Sequence, residues 1–280
     1  ECRMQNKREA EDEELRDPYE KKPRLEEDDD DVEIVHDDSV DGVERAKGRK
    51  KSDLGERPTH RQLYTFLIQL GIRLKLKNRS VCTSILVFHE VLKNDRLADN
   101  ICNYTLATAC LMVGLKYEEE RGIRIKPVCH AAQSLVSDVF VSENSEEVSA
   151  LANGVGKLEF IVLREIGFKV NFDHPHKHQA LILQSLRTWA EQDFEKYPIL
   201  ETAASILRDA YISPEFILDY PPKAIAITVV SLALKAFDIS IPSAHSDWYK
   251  AFSSSMRRKE LKSIERKLID IVYGVRVKDD

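Results

Sequence analysis

Three histidines, His174, His176 and His178, alternate along the chain, and closely spaced imidazoles can hold a metal ion. They have no cysteine near them in sequence. A structural role is therefore expected, with Asp173 capping a helix that begins near Pro175. The stretch Gly154-Val155-Gly156-Lys157 has the look of a phosphate loop. Leu151 stands where its first glycine should be and Leu158 where Ser or Thr should be, so it is rejected. The aspartate run Asp28 to Asp31 could suggest a metal-binding carboxylate motif, but such a motif needs a rigid helix to aim it, and none is expected there. No Ser/His/Asp or Cys/His arrangement has a supporting spacing. No catalytic residue, metal ligand or cofactor is assigned, and the chain is expected not to be an enzyme.

Composition narrows the class further. The 280 residues carry a net charge of −6, unevenly divided. Residues 1–57 hold 13 Lys+Arg against 21 Asp+Glu, a net of −8, while the remaining 223 residues hold 29 against 27, a net of +2. The segment 1–57, with its run Glu26 to Asp31, is expected to be a disordered charged tail. Two basic clusters in it are candidate nuclear-import addresses: Lys21, Lys22 and Arg24, then Lys47, Arg49, Lys50 and Lys51. The five cysteines form no C-x-x-C pair, which argues against a disulfide framework and a zinc ribbon. No apolar run reaches the ~20 residues that a membrane helix needs, and no signal-peptide hydrophobic run opens the sequence. Ten glycines suit neither a β-sandwich nor a dinucleotide-binding fold.

The elements of the body read as helices. Thr59 followed by Gln62 has the form of a capping box. Leu63, Phe66, Leu67, Leu70 and Leu74 then make one apolar stripe. A second helix is expected over Ser80 to Leu92, with Val81, Ile85, Phe88 and Leu92 inward. The stretch Ile101 to Tyr117 is apolar almost all round, the mark of a buried central helix. A fourth helix is expected near Pro127 to Val141, and a fifth from Ser145 to about Phe168. Gly154 and Gly156 inside the fifth are expected to mark close packing against a neighbour.

The order then recurs. Helices are expected over Lys177 to Ala190, Tyr197 to Tyr211, a second nearly all-apolar stretch opened by Pro222 from Ala224 to Phe237, a short one near Trp248 to Phe252, and Met256 to Tyr273 with Gly274 as its cap. Ala107 falls on Ala226, Leu115 on Leu234 and Lys116 on Lys235 at one offset of 119. Two five-helix sets, each with its buried helix third, predict duplication of one all-α unit. The boundaries are a tail over 1–57 and units over 58–170 and 171–280.

The first unit resembles a cyclin box. The residues that carry the resemblance are Ala107 to Glu119, with Lys116-Tyr117-Glu118-Glu119 ending a buried helix, and Leu158-Glu159 to Gly167-Phe168, where a Glu precedes an apolar helix closing in Gly-Phe. Asp173-His174-Pro175-His176, Leu207 to Tyr211, and Pro222 with Ile225-Ala226 are similar to the transcription-type cyclins of the T, K, L and Q groups, most of all the Q group. The first helix reads Thr59-His60-Arg61-Gln62-Leu63-Tyr64, so the substrate-docking patch of cell-cycle cyclins is not expected. Leu115 replaces the small residue usual before the Lys.

The resemblance implies a regulatory subunit, in the nucleus and also in the cytoplasm, that forms a heterodimer with a cyclin-dependent protein kinase. For the Q group that implies cyclin-dependent kinase 10. Lys116 and Glu159 would bond backbone groups around the kinase αC helix, with Val113, Tyr117, Leu163 and Phe168 as apolar contacts. By periodicity alone, Lys116 and Glu159 would read as ordinary surface charges worth little. A TFIIB-like DNA-binding factor also duplicates this fold. The absence of C-x-x-C pairs and a body charge of only +2 make direct nucleic-acid binding unexpected.

Overall fold

Helix α1 (His60–Arg73) begins as its first residues predict: the Thr59 side chain accepts from the Gln62 amide, and the Gln62 side chain accepts from the Thr59 amide at 2.7 Å. Residues 58–93, 97, 101–137, 141–241 and 247–274 are described by this computed structural model, and they belong to one unit, Leu54–Asp280. The expectations placed on segment 1–57 fall outside the described residues.

Four helices follow in the first set: α2 (Asn78–Leu92), α3 (Asn103–Tyr117), α4 (Ile125–Val136) and α5 (Glu146–Glu165). Every residue of α3 from Leu106 to Leu115 is buried, as its lack of a polar face demands. It packs on α1, α2, α4 and α5. Helix α2 departs from its amphipathic reading, because Ser80 to His89 are all buried. Its hydroxyl groups are answered individually: Ser84 donates to the Ser80 carbonyl at 2.7 Å, Ser80 to Glu120 at 2.6 Å, and Thr83 to Glu118 at 2.7 Å. A residue that bonds back to its own helix or finds a carboxylate can be buried without large cost.

The glycine expectation is overturned. A Cβ on Gly154 would meet nothing within 4 Å, and one on Gly156 would meet only Ile125 at 3.9 Å. The close approach is made instead by Gly114, where a Cβ would fall 2.2 Å from the Ser84 hydroxyl and 2.9 Å from its Cα. Gly114 thus supplies the tight α2–α3 contact one position before Leu115.

The second set holds α6 (Pro175–Trp189), α7 (Glu191–Lys196), α8 (Ile199–Ala210), α9 (Pro214–Asp219), α10 (Pro222–Ala236), a 3-10 turn at Trp248–Ala251, and α11 (Arg258–Tyr273). The short α7 and α9 are additions to the expected five. The local signal for α9 is plain in retrospect: Ser213 accepts from the Phe216 amide, and Pro214 occupies the first turn. Helix α8 starts two residues later than expected because Pro198 holds the residue before it, Tyr197, in extended backbone at φ −119° and ψ 144°. Gly274 ends α11 at φ 65°, in the left-handed region where glycine is unstrained. Helix α10 is buried from Ala224 to Val230 and packs on α6, α8 and α11. One apolar core runs through both sets.

The sets are joined by polar contacts with fixed directions. Tyr64 donates to the Arg208 carbonyl at 2.7 Å, and Arg61 to the Val272 carbonyl at 2.8 Å. Thr83 gives its only proton to Glu118, so its oxygen must accept from His174 Nε2 at 3.0 Å. His174 Nδ1 then accepts from the Tyr211 hydroxyl at 3.0 Å. The result is one chain of donors from Tyr211 in the second set to Glu118 in the first.

Candidate partner-binding site

Helix α3 ends in a Schellman motif: Glu119 takes φ 53°, its amide donates to the Lys116 carbonyl at 3.2 Å, and the Glu120 amide donates to Leu115 at 2.9 Å. That ending places Lys116 on the last turn, where a cation also meets the negative end of the helix dipole. The Lys116 side chain is exposed, and its ammonium contacts Glu159 Oε2 on α5.

Glu159 is 8% exposed, and its second oxygen, Oε1, is buried with no hydrogen-bond partner. A buried carboxylate with one satisfied oxygen is costly and rare in native interiors. Its charge reaches into α4: burial first, and the Glu159 charge second, push the Cys129 thiol up to about 11. The pair is thus an exposed donor over a buried acceptor that has unused capacity. Chemically it can bind a main-chain peptide group, with the ammonium taking a C=O and the carboxylate an N–H.

Apolar side chains surround it. Leu163, one turn beyond Glu159 on the same face, is half-buried, and Phe168 is 58% exposed. Phe168 itself takes φ 58° directly after Gly167 at φ 58°, an uncommon backbone for an aromatic residue, and it is carried outward into solvent. Tyr117 is exposed, and its hydroxyl donates to Asn171 at 3.2 Å. Val113, grouped with these by sequence, lies in the core at 4% exposed and offers no surface. Phe160 was not singled out by sequence, yet it is 59% exposed beside Glu159. The available signal was an aromatic residue outside the apolar stripe. Gly156, one turn before Phe160, adds no side chain and leaves this face open.

The histidines are absorbed by the fold. His174 is the N-cap residue of α6, and Asp173 does not cap that helix. Asp173 pairs with Lys177 at 2.5 Å and His178 at 3.4 Å, and the bond from Lys177 is the first cause holding its carboxyl below the usual range. His176 accepts from Asn78 at 3.1 Å, and burial lowers it to about 4. The fold also brings Cys82 to 3.9 Å from His176, a neighbour no local sequence pattern could reveal.

Residues 39–171 match the N-terminal domain of cyclins. The match begins inside the segment read as tail. Cyclin-T1 of Mus musculus is 23% identical over 222 residues, covering 76% of this chain and 29% of that protein. Cyclin-L1 of Xenopus laevis is 28% identical over 208 residues, covering 72% of this chain and 40% of that protein. The chain therefore spans well under half the length of the curated relatives it matches. A chain of the yeast RNA Pol II CTD kinase CTDK-1 complex superposes with a TM-score of 0.59 at 21% identity, covering 76% of this chain and 64% of that one. The all-helical architecture described above is a cyclin fold.

Proposed function

From a chain that carries a cyclin N-terminal domain on a cyclin fold, we propose a regulatory subunit of the transcription-type cyclins that binds and activates a cyclin-dependent protein kinase. Its finer place is in the Q group, with cyclin-dependent kinase 10 as the partner. The reading includes cyclin boxes over 58–170 and 171–280, a charged tail over 1–57, and nuclear residence addressed by the basic clusters around Lys21 and Lys50. The role is to hold another protein's catalytic shape and not to catalyse.

The observation that carries the reading is the Lys116–Glu159 pair: an exposed ammonium over a buried carboxylate whose Oε1 has no partner. Lys116, Glu159, Tyr117, Leu163, Phe160 and Phe168 form the proposed contact face. Val113 supports it only from beneath. A kinase needs its αC helix and Lys–Glu ion pair in place before ATP is oriented. A subunit that binds the active arrangement more tightly shifts the population, and moving from 1:99 to 99:1 takes about 5.5 kcal/mol of differential affinity. A few apolar anchors around two hydrogen-bonded charges reach that scale.

The test is coexpression with cyclin-dependent kinase 10. The wild-type chain is expected to co-purify the kinase and raise its activity. Glu159→Lys is expected to lose recovery by about tenfold or more, with a thermal melt reporting its folding. Full kinase recovery by a folded Glu159→Lys chain would sink the proposed face. Capture of a different cyclin-dependent kinase would overturn only the Q-group assignment.

A further inference from the structure

The pair on the α3–α5 face has a twin. Lys235, on the last turn of α10, lies 2.5 Å from Glu265 Oε2 of α11. Glu265 is 5% exposed, and its Oε1, like that of Glu159, is buried without a hydrogen-bond partner. The helix ends match bond for bond. Asp238 takes φ 53° and its amide donates to the Lys235 carbonyl at 3.2 Å, while the Ile239 amide donates to Leu234 at 3.0 Å. Lys235 therefore holds the same place in a Schellman motif as Lys116. Around the carboxylates, Val155 corresponds to Leu261, Val162 to Leu268 and Leu163 to Ile269, at one offset of 106. The first two pairs are buried and the third half-buried in both copies.

A core built only for packing has no use for an underbonded carboxylate, since apolar residues of similar volume are as stable or more so. Its presence in both copies, each under an exposed lysine, fits an acceptor waiting for an incoming N–H. The flanks differ. Where α5 presents Gly156 and Phe160, α11 presents Lys262 and Arg266, and residues 257–267 hold six basic and two acidic residues.

We propose that Lys235 and Glu265 form a second docking site, which takes an extended acidic segment of a protein partner. The Lys235 ammonium turns to a main-chain carbonyl of the segment. The Glu265 carboxylate, with its spare Oε1, takes a main-chain N–H, while the segment's carboxylates meet Lys262 and the basic stretch around it. The inference stands apart from the kinase reading, because it uses no residue of the first face.

The experiment is fluorescence anisotropy of the full chain with a labelled decapeptide of alternating glutamate and alanine, alongside the same peptide with methylated backbone nitrogens. The parent peptide is expected to bind, and the methylated one to bind about tenfold more weakly, since it keeps the charge and loses the N–H. Lys262→Glu, a solvent-facing change, is expected to weaken the parent about tenfold, and Glu159→Lys to leave it unchanged. Glu265→Ala is expected to abolish the difference between the two peptides, with a thermal melt reporting its folding. The proposal is overturned if the parent peptide does not bind, if both peptides bind alike to the wild type, if Lys262→Glu has no effect, or if binding follows Glu159 instead.

Discussion

The His89 imidazole, buried in α2, lies 2.8 Å through Nε2 from the carbonyl oxygen of Tyr211 at the end of α8. Nε2 must donate to that carbonyl, which leaves Nδ1 as a buried acceptor with no partner. Burial lowers the pKa of His89 to about 4, against the carbonyl bond that favours the charged form. His176, lowered to about 4 by burial and then by His174, adds to the same effect. Both groups are neutral in the fold and take up protons more readily when unfolded. Stability is therefore complete above about pH 6.5 and falls as pH drops toward 4, by roughly 1.4 kcal/mol per pH unit for each group. Urea midpoints at pH 7 and pH 4.5 should differ markedly, and His89→Leu should flatten that dependence. Equal midpoints would contradict the assigned burial.

Tyr211→Phe removes the hydroxyl that donates to His174 Nδ1 and leaves a buried acceptor unanswered. The expected loss is about 1–3 kcal/mol, read as a drop of several degrees in the thermal midpoint. A melt identical to wild type would show that the Tyr211–His174–Thr83 chain contributes nothing to joining the sets.

Two glycine substitutions should move stability in opposite directions. Gly114→Ala forces its Cβ against Ser84, partly against backbone, and should cost about 1–3 kcal/mol. Gly154→Ala enters open space on a helix and should gain up to about 1 kcal/mol. Chemical denaturation of both variants checks the pair, and a stabilising Gly114→Ala would refute the close α2–α3 contact.

Phe160→Ser changes an exposed ring and should leave the melt within about 0.5 kcal/mol of wild type. Under the proposed function it should still weaken kinase recovery by about tenfold, since a desolvated aromatic anchor carries that much at an interface. Titration of purified kinase against both chains measures this, and equal affinities would remove Phe160 from the face.

What was legible in the sequence is what depends on neighbours a turn apart. Thr59 with Gln62, Ser145 before Glu146, and Gly274 after Tyr273 each fix a helix end through bonds spanning three or four residues, and each holds in the structure. The apolar rows of α3 and α10 likewise announced burial, because a helix with no polar side has no solvent face to offer. The resemblance marked Lys116 and Glu159, yet neither residue's surroundings could be read locally.

The tertiary structure decided which residues meet. Lys116 and Glu159 are 43 residues apart, and Lys235 and Glu265 are 30 apart. Only the packing of α3 on α5 and of α10 on α11 brings each pair together and seals one oxygen of each carboxylate from water. The same packing put polar α2 inside, took Val113 out of reach, left Gly154 facing open space and seated His174 between Thr83 and Tyr211. Hydrophobic periodicity chooses which side of a helix turns inward. The polar partner that waits there is set by which turns of two helices cross, a relation between distant segments that no single stretch of chain encodes.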